Sequence, residues 1–168
     1  MADKYIYDNS GTLTEKELVI TSAGAGDSGK GIALDAAGKL DSTFMPSGYA
    51  VLTETYPASE DLTAGQYVNL FDDTGTMKAR KADCSNGRVS HGFVLAGATS
   101  GNNATVYRNG VNSQLSGLTA GSKYYLSTAG SVTDTPTTTT AQYVQPLGVA
   151  GSATSIATYD FALYWVKA

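Results

Sequence analysis

Hydrophobic positions along this chain come in short runs broken by Gly, Asn and Ser, the pattern of brief strands and tight turns. The first run sets Tyr5 and Tyr7 around Ile6, turns at Asn9-Ser10-Gly11, and continues from Thr12 into Leu18-Val19-Ile20. It predicts a β-hairpin or extended arm over residues 1–21. The Glu15-Lys16-Glu17 cluster is an alternative start for a short helix. Two strands alone are marginal in water, so the arm must pack on its own domain or on a partner chain.

Residues 22–48 form a Gly-rich connector, with glycines at 24, 26, 29, 31 and 38 and a close at Pro46 and Gly48. Glycine costs backbone entropy and proline removes a donor, so no long helix is expected there. Gly24 to Lys30 fits most of a phosphate-binding loop, but Gly31 stands where a Ser or Thr hydroxyl should hold magnesium. The following IALDAAGKLD is broken at Gly38 before it can form the helix whose N-terminus would bind a pyrophosphate. The stretch is therefore read as a joint.

From residue 49 onward the pattern repeats. Tyr49 to Thr55 reads as a strand ended by Pro57. Leu62-Thr63-Ala64-Gly65 then recurs as Leu118-Thr119-Ala120-Gly121, an offset of 56 (118 minus 62). Gly92-Phe93-Val94 aligns with Gly148-Val149-Ala150 at the same offset, and Ala104 to Tyr107 aligns approximately with Asp160 to Leu163. Each copy carries an aromatic-rich strand, Tyr67 to Leu70 or Tyr124 to Leu126, and then a Gly turn at Gly75 or Gly130. Such internal periods point to duplication. The expected fold is all-β: a β-sandwich or barrel built from two similar halves of about 56 residues, copies about 57–112 and 113–168, facing each other across one core. Val68, Leu70, Phe93, Val94, Leu95, Val106, Tyr125, Leu126, Leu147, Val149, Phe161, Leu163 and Trp165 are the expected core.

Composition sharpens this picture. Charged residues make up 15% of the 168-residue chain, against roughly 25% in typical soluble domains. The net charge of -4 argues against a phosphate-binding surface, and no nucleic-acid partner is expected. Lys78, Arg80 and Lys81 form the one basic cluster and suit an edge strand. Thr135 to Thr140 reads as a polar loop. No run approaches a membrane span and Met1 to Lys4 does not begin a secretory leader, so no membrane partner is expected and synthesis in a cytoplasm is.

Chemistry-bearing motifs are sparse. Cys84 and His91 are each the sole residue of their type, and Cys84 sits in a polar turn with nothing to activate it. Adjacent carboxylates such as Asp72-Asp73 point to opposite faces of a strand and form no acid/base pair. The expectation is a non-enzymatic protein with no catalytic residues, no cofactor and no metal. The eleven tyrosines raise sugar stacking as an alternative, although half-buried tyrosine is ordinary in strands.

The phrase Gly24-Ala25-Gly26-Asp27, followed by Leu34 to Pro46 with Asp35, Gly38, Lys39, Asp41, Ser42 and Pro46 in register, resembles a recurrent feature of tailed-bacteriophage virion proteins. The stretch from Asp61-Leu62-Thr63-Ala64-Gly65 to Gly92-Phe93-Val94 is similar to the β-domain beside that phrase. The resemblance covers roughly residues 23–150 and implies a capsid decoration, or cement, protein on the virion surface. It further implies a homotrimer whose partner is the major capsid protein. In that reading the arm and connector make the contact, through Tyr5, Ile6, Tyr7, Leu18, Ile20, Leu34, Leu40, Phe44 and Met45. A fibre or spike component touching the host is the alternative within the same family, and a carbohydrate-binding β-domain is the alternative outside it.

Overall fold

The computed structural model describes residues 4–45, 52–158 and 165–167, and its contacts divide the chain into two units, residues 1–50 and 51–168. In the first unit β1 (Lys4–Asn9) and β2 (Thr12–Val19) form an antiparallel hairpin, and β3 (Gly31–Ile32) pairs parallel to β2. Ser10 and Gly11 turn the chain with φ of 55° and 89°, the left-handed pair that matches strand twist in a two-residue hairpin. The Asp8 carboxylate fixes this turn by accepting the Gly11 amide at 2.7 Å. Glu15-Lys16-Glu17 lies within β2 and not in a helix, its ladder partners being Ile6, Tyr5 and Lys4. Cross-strand pairing with the first run outweighs the local helical preference of these three residues. The connector makes two 3₁₀ turns, Gly24–Asp27 and Ser42–Phe44; its closing Pro46 and Gly48 lie outside the described residues.

The second unit holds β4 (Thr53–Pro57), β5 (Tyr67–Asp73), β6 (Thr76–Lys81), β7 (Gly92–Val94), β8 (Asn103–Tyr107), β9 (Gly110–Asn112), β10 (Lys123–Leu126), β11 (Val132–Thr133), β12 (Tyr143–Val144), β13 (Pro146–Ser152), β14 (Ser155–Thr158) and β15 (Trp165–Val166). One sheet runs β4-β8-β7-β5-β6 and the other β9-β14-β13-β10-β11. Strand for strand, these are the same arrangement. Strands β12 and β15 form a separate pair. No sheet closes into a barrel among the described residues.

The likeness extends to individual hydrogen bonds. Tyr67 pairs with Phe93 and Val68 with Gly92, while Lys123 pairs with Val149 and Tyr124 with Gly148. The Gly65 amide donates to Val94 O at 2.8 Å, and the Gly121 amide donates to Ala150 O at 2.8 Å. Gly65 and Gly121 both have positive φ, 88° and 83°, so the Leu-Thr-Ala-Gly turn needs its glycine. The last strand of each sheet departs from a constant offset. β8 is matched in the sheet order by β14 and not by residues 160–163, which lie outside the described residues. The cause is loop length: residues 95–102 connect β7 to β8, whereas only Ala153 and Thr154 connect β13 to β14.

Burial is organised in three clusters and not in one shared core. Leu62, Val68, Leu70, Val94 and Val106 fill a small core within the first half. Leu118, Tyr124, Ala150 and Ile156 do the same in the second. Between them Tyr67, Phe93 and Cys84 of the first half meet Leu126 and Leu147 of the second. The Leu-Thr-Ala-Gly turn drives this, because it folds Leu62 or Leu118 back over its own sheet.

The expected core residues Val68, Leu70, Phe93, Val94, Val106, Leu126 and Leu147 are buried. Leu95 and Tyr125 are only partly so, and Val149 and Trp165 are exposed. Phe161, Leu163 and residues 49–51 lie outside the described residues. Val149 follows the strand alternation: its neighbour Ala150 points into the second half's core, so Val149 must point out. Phe93→Ala should therefore cost about 3–5 kcal/mol, and Val149→Ala should change stability by no more than about 0.5 kcal/mol. Equilibrium urea unfolding of the two variants checks this difference, and equal losses would overturn the assignment of faces.

Candidate functional site

None of the described side chains from Lys4 to Met45 is buried. The pairing register sorts them onto two faces of the small sheet. Tyr5, Tyr7, Lys16 and Leu18 share one face, where Tyr5 and Leu18 close over Gly31. A Cβ on Gly31 would lie 2.6 Å from Leu18 Cδ2 and 2.7 Å from Tyr5 Cε1, so the glycine is there for want of space. Lys16 Nζ sits 4.4 Å from the centre of the Tyr7 ring and donates to Gly29 O at 3.1 Å. These four side chains are half-buried.

The opposite face carries Ile6, Leu13, Val19 and Ile32 among the charges of Lys4, Glu15 and Glu17. Ile6 and Leu13 are 70% and 73% exposed. Ile20, Ile32, Leu34, Leu40 and Met45 are exposed as well, while Phe44 is half-buried. The sequence-predicted contact residues thus divide: Tyr5, Tyr7 and Leu18 lie together, Ile6 faces the other way, and Leu34, Leu40, Phe44 and Met45 belong to the connector. The Ser22 amide donates to Thr43 Oγ1 at 2.8 Å, which brings the connector's end to the strand end near Ile20. Leu13 and Ile32 were not among the predicted residues. The strict alternation Thr12-Leu13-Thr14-Glu15 was the signal that Leu13 shares a face with Ile6.

The glycine-rich loop offers no seat for a phosphate. Asp27 accepts from the Ala23 amide and from Lys30 Nζ, the latter at 2.9 Å, and Glu17 lies 3.9 Å from Lys30. The Lys30 ammonium is held above its ordinary pKa by Asp27, whose own carboxyl is held below the usual range by the Ala23 amide and then by Lys30. The lysine that would meet a phosphate is already engaged with carboxylates.

Cys84 and His91 are also occupied structurally. Burial pushes the Cys84 thiol up, away from thiolate character. His91 Nδ1 accepts the Leu70 amide at 2.9 Å, completing the ladder where β5 outruns β7. Only an unprotonated nitrogen can accept that bond. No group of three or more His, Cys, Asp or Glu able to hold a metal occurs among the described residues. No helix among them is long and apolar enough to cross a membrane.

No protein-family model matches the chain, and no curated protein matches it. Among solved structures, it is similar to the N base of the head fibre gp8.5 of bacteriophage phi29, at 14% identity and a TM-score of 0.45. That match covers 67% of this chain and 97% of the other.

Burial, and then the Arg108 charge, hold the His91 imidazole below its ordinary pKa of 6.5. The unfolded chain therefore binds the proton more readily than the folded one. Stability should be full above about pH 6.5 and fall as the pH drops from there towards the depressed folded value. Thermal unfolding between pH 7.5 and 5 checks this against His91→Gln, which should flatten that part of the profile. An identical profile in the variant would show that His91 does not titrate in this window.

Proposed function

We propose that this is a non-enzymatic structural protein of a tailed-phage particle, a decoration protein that docks on the outside of the assembled shell and holds neighbouring coat subunits together. The observation that carries the reading is the arm, a hydrogen-bonded sheet and connector with none of its described side chains buried and Ile6, Leu13, Ile32 and Leu34 presented outward. Ordering a backbone costs about 1–2 kcal/mol per residue, which local burial here does not repay. A partner surface that covers these aliphatic groups supplies the missing driving force. The resemblance of Gly24 to Pro46 to the virion phrase favours the major capsid protein as that partner and the virion surface as the place of action.

Low charge suits this role. A large coat lattice offers many equivalent sites, so a weak apolar contact at each one adds up across the shell. Binding that favours only the assembled lattice shifts the balance towards it. The second unit then forms the projecting body.

The test is binding of the full-length protein to purified shells that lack it, followed by sedimentation and by cryo-electron microscopy of the decorated particle. Hundreds of copies over the shell are expected; a handful at one vertex or on the tail would replace decoration with a fibre role. Ile6→Asp combined with Leu34→Asp should abolish shell binding, with the urea midpoint of the β-domain unchanged within error. Retained binding would move the attachment surface away from the arm.

A further inference from the structure

In the first half one row of side chains crosses the sheet from β5 through β7 to β8: Tyr67, Phe93 and Tyr107. Phe93 stacks on Tyr107 at 5.6 Å between ring centres and meets Tyr67 at 5.9 Å. The second half covers this row through Leu126 and Leu147. Further along the same face of β5 and β6, Asn69 pairs with Arg80 and Phe71 with Lys78. Asn69 is buried, and the other three are half-buried.

Arg80 is held in one orientation. Its Nε donates to Asn69 Oδ1 at 2.9 Å, and the Asn69 amide is itself fixed by donating from Nδ2 to Val89 O at 2.8 Å. The guanidinium carbon lies 4.0 Å from the centre of the Phe71 ring, within reach of a cation–π contact. One edge and one face of the guanidinium plane are thereby used, while the N–H groups on its two Nη atoms have no partner among the described residues. Its charge is unmatched as well. Of the chain's three arginines, Arg108 meets Glu54 at 3.2 Å and Arg88 meets Glu60 at 3.9 Å, but Arg80 forms no ion pair among the described residues. Lys78, its neighbour on this face, is taken up by Asp73 at 2.6 Å. Burial, and then the nearby Arg88 charge, hold the Arg80 guanidinium below its ordinary pKa. Edge strands use lone charges to repel other strands, yet the outer edge of β6 is already covered. Ala58 bridges Ala79, the Ser59 amide donates to Ala79 O at 2.8 Å, and the Lys81 amide donates to Glu60 Oε1 at 2.9 Å. A repelling charge also needs no dedicated amide and ring to aim it.

We propose that Arg80 is a docking point for one carboxylate, presented by an Asp or Glu side chain of a partner protein. A guanidinium with its Nη edge free offers two parallel N–H donors, which match the two oxygens of a carboxylate. Charge balance sets the ligand at a monoanion. Arg88 and Glu60 balance one another, so a single positive charge remains, and a phosphate dianion would set surplus negative charge beside Glu60. A sugar acid fits less well, since its ring needs an aromatic face beside the fork and that of Phe71 is occupied by Arg80 itself. The contact uses no residue of the arm and is additional to the docking proposed there.

The test is NMR of the full-length, nitrogen-15-labelled protein at neutral pH, titrated with sodium acetate against sodium chloride at equal ionic strength. Acetate carries the side-chain carboxylate in its smallest form. It should move the Arg80 Nε–H signal along a saturable curve that chloride does not reproduce, and leave those of Arg88 and Arg108 in place. Arg80→Lys keeps the charge and loses the fork, so acetate should bind about tenfold more weakly, read from the backbone amides of Asn69 and Phe71. Phe71→Leu removes the ring behind the guanidinium, should weaken acetate in the same direction, and stands in if the first variant loses the native spectrum. No saturable shift, a shift shared by all three arginines, or acetate binding unchanged by the substitutions would overturn the proposal. Inorganic phosphate or N-acetylneuraminic acid binding more tightly than acetate would overturn it too, by assigning the site to a dianion or a sugar acid. These outcomes are independent of shell binding, because no residue of the arm is involved.

Discussion

The aromatic row Tyr67, Phe93 and Tyr107 is the interaction on which the second unit depends. Each half is too small to protect both faces of its own sheet, and its private core occupies only one of them. The second half seals the row of the first, and buried polar groups then fix how it sits. Gln145 accepts from the Ser90 amide at 2.7 Å and donates to Ser90 O at 2.9 Å. Asn112 donates to Gly65 O at 2.8 Å, and Tyr67 to Thr158 spans the same junction at 3.1 Å. Apolar burial supplies the drive, whereas these bonds would be left unsatisfied by any other placement. Burial pushes the Tyr67 hydroxyl up to a pKa of about 12, so this contact stays neutral at neutral pH.

Duplication explains both the economy and the asymmetry of this arrangement. The turn Leu-Thr-Ala-Gly, the left-handed glycines and the strand order are needed twice because each half must close its own small core. The outer row is needed only where another layer meets it. Lys123 and Val149 stand at the positions that match Tyr67 and Phe93, while Leu62 and Leu118 are the same residue in both halves. His91 in place of Leu147 is the complementary change, and it leaves the first half without a second stacking surface.

Much of this was legible in the sequence, and the failures have physical causes. Turn chemistry located the hairpin at Ser10-Gly11, and the recurrence of Leu62-Thr63-Ala64-Gly65 exposed the two halves, because both signals are local. Val149 and Trp165 were misread as core. Apolar character says that a residue can be buried, but whether a layer covers it is decided by residues far along the chain. Leu126 and Leu147 cover Phe93, and no segment of the described chain does the same for Val149. The helix considered at Glu15 to Glu17 failed for a related reason: the competing strand partner, Lys4 to Asn9, lies across a turn and outside the local window. At the arm, period two marked Tyr5 and Tyr7 as companions around Ile6, and the pairing register sets Ile6 on the opposite face from them.

The arm and the second unit solve the problem of low charge differently. In the second unit, backbone groups and small polar side chains bond one another, and few ion pairs are needed. In the arm the Lys4–Glu15 ion pair at 2.8 Å is exposed and contributes little in water, and the Lys30–Asp27 pair at 2.9 Å is only partly covered. Backbone pairing sets the arm's shape, yet pairing alone gives a small sheet little net stability, since the unfolded chain bonds water instead. The aliphatic side chains on its surface are thus the arm's largest unspent source of free energy. Such groups gain only when something removes them from water, so in the proposed docking the arm's order and its attachment would be two aspects of one event.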